Sequence, residues 1–185
     1  MNKKALLEFV KPYYSKKDEM HDLSHINRLL HEARSISKKY QTDGEILTCA
    51  TYFHGIDEKR HSGNLTEFLV SQGLPRRKAV KILRVASESH KESRPRTIEG
   101  KILHDAHLVV GGRTLMVANF LVTGALRGFP IEHTINYFEK EVDGRFKCHL
   151  PEMRQRYSEM EGFTREFFRD LRDSLSHQTR IGPAR

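Results

Sequence analysis

Three short stretches of this chain bring imidazole and carboxylate side chains close together: His21-Asp22-Leu23-Ser24-His25, His54-Gly55-Ile56-Asp57-Glu58 and His104-Asp105-Ala106-His107. Imidazole and carboxylate without thiolate suit a divalent cation such as Fe, Mn, Ni, Zn or Mg, with positions left open for water and substrate, rather than a closed structural zinc site. A cation so held lowers the pKa of water and neutralises charge on a phosphoryl group. Taken singly, a histidine at the end of an apolar helix is more often a satisfied core residue than a ligand. Three stretches that could converge weigh the other way.

The elements that must position them read as helices. Ile46-Leu47-Thr48-Cys49-Ala50-Thr51 is a nearly continuous apolar run behind the helix-start pattern Thr42-Asp43-Gly44-Glu45, so a core helix over about 45–54 carries His54 at its end. A longer helix over about 24–40 repeats Ile26, Leu29, Leu30, Ala33 and Ile36 at three- and four-residue spacing, with His25 at the inner edge of the stripe. If that helix begins early, His21 and His25 share a face. A helix from residue 98 or 99 carries Ile102 and Leu103 towards Asp105, and Gly111-Gly112 marks a bend or a close backbone approach. The separations are 29 residues from His25 to His54 and 51 from His54 to Asp105, which a bundle can bring together.

The rest of the chain agrees. Helices are expected over 4–14, 65–72 after a turn at 60–63, 75–90, 114–126, 131–142 and 153–175. The apolar 114–126 segment should be buried, and the last helix shows Tyr157, Met160, Phe163, Phe167, Leu171 and Leu175 at helical spacing. Leu29, Leu47, Ala50, Leu83, Leu121 and Phe167 are the expected core. No stretch alternates as strands do. The expected fold class is all-α, a single-domain helical bundle over 1–178 with a flexible tail at 179–185.

Composition narrows the function. With 185 residues, 37% hydrophobic and 30% charged, one domain with a real core and a solvated surface is expected. Cys49 and Cys148 form no CxxC pair, so a reducing, cytoplasmic setting is expected. No window approaches the ~20 apolar residues of a spanning helix, so no membrane is expected. The net charge of +8 admits phosphate-bearing small molecules or nucleic acid. The clusters Arg76-Arg77-Lys78 and Arg94-Pro95-Arg96 lack interleaved aromatics, so nucleic-acid binding is the weakest reading.

Segment by segment, the chain resembles the HD-domain superfamily of metal-dependent phosphohydrolases, closest to its small stand-alone members. His21-Asp22-Leu23-Ser24-His25-Ile26-Asn27-Arg28 is similar to the family's opening motif, Ala50-Thr51-Tyr52-Phe53-His54 to the approach to its His-Asp pair, and Lys101-Ile102-Leu103-His104-Asp105-Ala106 to the segment supplying a last aspartate. The resemblance covers roughly residues 20–125. It implies His25, His54 and Asp105 as metal ligands. It also implies Glu58 as a water-activating group and Asp57 as a possible replacement ligand. His21, Asp22, Arg28, His90 and Lys101 are the expected substrate-binding residues. The implied substrate is a nucleotide or another phosphorylated small molecule.

Two departures stand out. Gly55 occupies the place of the pair's aspartate, and His107 stands where relatives carry a second aspartate in an Asp-Ala-Asp run. His61, His104, His107, His133, His149 and His177 read as ordinary surface or core histidines. Gly55 keeps a second reading open, a degenerate HD-fold protein that binds a ligand, metal or partner without turnover.

Overall fold

Aspartates at helix starts set the frame that holds the candidate residues. The computed structural model describes residues 1–178, apart from the side chains of Glu58, Lys59, His177 and Gln178; the tail expected at 179–185 lies outside the described residues. Regular structure among these residues is entirely helical, as the sequence pattern requires: α1 (Lys3–Tyr14), α2 (Leu23–Ser37), α3 (Gly44–Phe53), α4 (Glu58–Ser71), α5 (Arg76–Glu88), α6 (Ile98–Val109), α7 (Gly112–Leu126), α8 (Ile131–Glu141) and α9 (Pro151–Gln178). Asp22, Asp43 and Asp57 each accept backbone N–H groups at the first turns of α2, α3 and α4, and Thr97 does the same for α6. Such caps satisfy donors that a helix start otherwise leaves unpaired, each worth about 0.5–2 kcal/mol.

Helix α3 is the hub. It buries Ile46, Leu47, Cys49, Ala50, Tyr52 and Phe53 and packs against α1, α2, α5 and α6. A second, smaller core of Val117, Ile135, Phe138, Val142 and Phe168 joins α7, α8 and the far half of α9. Helices α6 and α7 meet at a 72° bend, where Gly111 and Gly112 both take positive φ (77° and 70°), a conformation open to glycine at little cost. The bend sends α7 away from the main bundle and opens a cavity between the two cores.

Three expectations shift. The turn expected at 60–63 is the first turn of α4, because the Asp57 cap lets the helix start there. Helix α7 is apolar yet buries only Val117 and Gly124 fully, since much of it lines the cavity, and Leu121 is half-buried. Of the adjacent phenylalanines on α9, Phe168 is buried (0% exposed) and Phe167 is not (38%). The stripe there runs through Tyr157, Met160, Glu161, Thr164 and Phe168, with Thr164 bonded to the Met160 carbonyl and Glu161 to the Gly144 N–H. Leu29, Leu47 and Ala50 are buried, and Leu83 is half-buried against them. Among the described residues no single helix is long and apolar enough to cross a membrane.

Candidate metal centre

The fold gathers His25, His54 and His107 into one cluster. One nitrogen from each ring can be chosen so that all three lie within 4.8 Å of one another. Ring centroids are 5.9 Å apart for His25 and His54, 6.0 Å for His25 and His107, and 4.4 Å for His54 and His107. His25 comes from the first turn of α2, His54 caps the end of α3, and His107 lies in the last turn of α6.

Ser89 orients two of the three. Its hydroxyl donates to the Ala86 carbonyl (2.5 Å) and accepts from His54 Nδ1 (2.6 Å). Its carbonyl accepts from His107 Nδ1 at 3.1 Å. Both imidazoles are thereby held as the Nδ1–H tautomer, with an Nε2 lone pair free, the arrangement of histidines that bind metal. Ser89 is itself fixed by the loop after α5. There the buried Glu88 carboxylate accepts from the Thr97 N–H and hydroxyl (3.2 and 2.5 Å) and closes the chain from α5 to α6.

The electrostatics agree with a ligand set. Burial, with His21 and Arg28 nearby, lowers the His25 pKa to about 4. Burial, with His25 and His90 nearby, lowers that of His54 to about 3. Burial, with His54 and Lys91 nearby, holds His107 well below the ordinary histidine value. All three rings are neutral near pH 7, so a cation displaces no proton from them. Three clustered, unprotonated imidazoles, two of them oriented by Ser89, fit a divalent cation with an open coordination position. Substituting Ser89 by alanine frees the His54 ring and leaves its buried Nδ1–H without an acceptor, so metal affinity is expected to fall about 10–100-fold, as read by metal titration, with a stability loss of about 1–3 kcal/mol.

Asp105, expected as the third ligand, stands apart from this cluster. Its carboxylate accepts from the His149 N–H (2.9 Å) and Leu150 N–H (2.7 Å) and lies 3.0 Å from His104 Nδ1. Both oxygens are thus engaged in fastening the loop that enters α9 onto α6. The reason is helical phase: residues two apart do not share a helix face, so when His107 turns towards α2 and α3, Asp105 turns away.

The other expected residues separate similarly. Asp57 is exposed and caps α4 through the Arg60 N–H (3.3 Å), outside the histidine cluster. The Glu58 side chain lies outside the described residues. Asp22 caps α2. His90 is exposed, its ring 6.2 Å from His54, and Lys101 sits on the opposite side of α6, where its charge acts on His149. Gly55 has φ of 76°, and a Cβ there would stand 3.2 Å from Lys17 Nζ, which donates to the Gly55 carbonyl (2.8 Å). Any side chain at 55 costs about 1 kcal/mol, so the backbone itself favours glycine at the place of the expected aspartate.

His21 and Arg28 line the cavity beside the cluster. This cavity, of about 290 Å³, also meets His25, Lys91, His107 and Arg127, and no acidic residue lines it among the described residues. Asp18 accepts from His21 Nδ1 at 2.7 Å.

No protein-family model and no curated protein matches this chain, whereas solved structures do. A Listeria innocua protein superposes with a TM-score of 0.72 at 21% identity, covering 95% of this chain and 98% of its own. Bacillus subtilis YpgQ in complex with ADP gives 0.73 at 19%, covering 93% and 97%. An HD-superfamily hydrolase from Bacillus thuringiensis gives 0.70 at 17%, covering 94% and 96%. The chain therefore has an all-helical fold of the HD type.

Proposed function

We propose that this chain is a metal-dependent phosphohydrolase acting on a small phosphate ester, a nucleotide among the candidates. One observation carries the reading: three clustered, neutral imidazoles, of which His25 and His107 face a cavity bordered by Arg28, Lys91 and Arg127 with no acid among its described lining. His25, His54 and His107 would hold the cation; this donor set suits Zn, Ni, Co or Fe better than the oxygen-seeking Mg or Mn. A cation there would lower the pKa of a water and offset charge on the phosphoryl group. Arg28, Lys91 and Arg127 supply donors and positive charge for phosphate oxygens. With Nδ1 turned to Asp18, His21 keeps Nε2 as its free nitrogen, which once protonated could pass that proton to the leaving oxygen. The ADP bound by YpgQ, at 19% identity, supports a phosphorylated ligand for this chain.

A second reading, binding without turnover, is favoured by a histidine cluster that no carboxylate joins among the described residues. Metal analysis of protein purified without chelator, followed by a phosphatase screen with Zn, Ni, Co, Fe, Mn and Mg, separates the two. Phosphate release with a borderline metal is expected, and His21→Gln should lower turnover by about 10²–10⁴ with metal retained. Retained metal without release from any ester would support the second reading.

A further inference from the structure

We propose that the α7–α8 wall of the same cavity is a subsite for a planar aromatic ring, so that the ligand is a phosphate ester carried on an aromatic or heteroaromatic group, a nucleobase for example. The proposal rests on the phosphate reading above and assigns the part of the ligand that reading leaves open. Phe129, His133 and Tyr137 recur every four residues along α8 and its lead-in, and all three line the cavity. Folding does not use them: neighbouring Phe138 is fully buried, whereas Phe129 is 44% and Tyr137 50% exposed. The Phe129 and His133 rings lie 4.5 Å apart, and Phe120 of α7 lies 6.5 Å from Tyr137. Half-exposed rings arrayed on a cavity wall offer stacking to a flat ligand.

A second observation concerns the acceptor atoms of the same occupant. Arg28 Nε is buried without a hydrogen-bond partner, and Arg28 lines this cavity. A buried polar atom of this kind is rare and costly, and a ligand bearing acceptor atoms would satisfy it. The volume, about 290 Å³, is at the small end of ligand sites and suits one ring system with one phosphate group.

Calorimetric titration of the metal-loaded protein with inorganic phosphate, ethylphosphonate and phenylphosphonate tests this without hydrolysis. Phenylphosphonate is expected to bind about tenfold tighter than ethylphosphonate, the scale of one ring stacked on aromatic side chains. Phe129→Ala and Tyr137→Ala, both at exposed positions, should erase most of that advantage and leave inorganic phosphate affinity and the melting midpoint unchanged. Equal affinity for the two phosphonates in the wild type would overturn the subsite, as would variants that weaken phosphate as much as phenylphosphonate. Failure of all three anions to bind would overturn the phosphate reading, and the subsite with it.

Discussion

His54→Ala and His107→Ala are each expected to abolish stoichiometric metal binding, while Asp105→Asn leaves it intact. The two histidines supply two of three clustered nitrogens, and each is turned into place by Ser89. Two remaining imidazoles leave a divalent cation held mainly by water, which is insufficient for stoichiometric retention through purification. Asp105 has no such role, because its oxygens face the His149 and Leu150 N–H groups. Metal content after gel filtration reads the difference. Loss of metal in Asp105→Asn at unchanged stability would mean that the aspartate, not His107, completes the site.

Asp105→Ala is expected to be strongly destabilising, by about 3–5 kcal/mol. The carboxylate is fully buried, accepts two backbone N–H groups and contacts the His104 ring. Its removal orphans those donors in the interior, each at about 1–3 kcal/mol, and leaves a cavity. For a chain of this length that is roughly a 10 °C fall in melting midpoint. The loop entering α9 should loosen first, which hydrogen exchange at His149 and Leu150 would report. Asp105→Asn keeps the shape and one acceptor oxygen, so a smaller loss is expected. A midpoint unchanged in Asp105→Ala would contradict the structural assignment.

How much of this was legible in the sequence follows from which features are local. The caps at Asp22, Asp43 and Asp57 and the apolar stripe of α2 act over a few residues, so the helices could be read in order. The buried face of α9 could not. Glu161 and Thr164 satisfy their polar atoms inside the protein, so the stripe passes through residues that a hydropathy pattern counts as exposed. Helix α7 misleads in the opposite sense, its apolar side chains facing a cavity as well as the core. At the site, His25 and His54 were readable because each ends or begins a core-facing helix. That His107 rather than Asp105 turns towards them was not, because it depends on the rotation of α6 against α2, α3 and α9, a tertiary property. Ser89 carried no signal beyond its position before His90; its role appears only when one serine is seen to meet two rings.

The central claim is that three imidazoles and no carboxylate form the metal centre. Zinc K-edge X-ray absorption on wild-type protein loaded with one equivalent of zinc tests it directly. The account predicts a first shell with three imidazole nitrogens at about 2.0–2.1 Å, completed by exchangeable oxygen. A shell with fewer than three imidazoles, or failure to retain one zinc per chain, would contradict it.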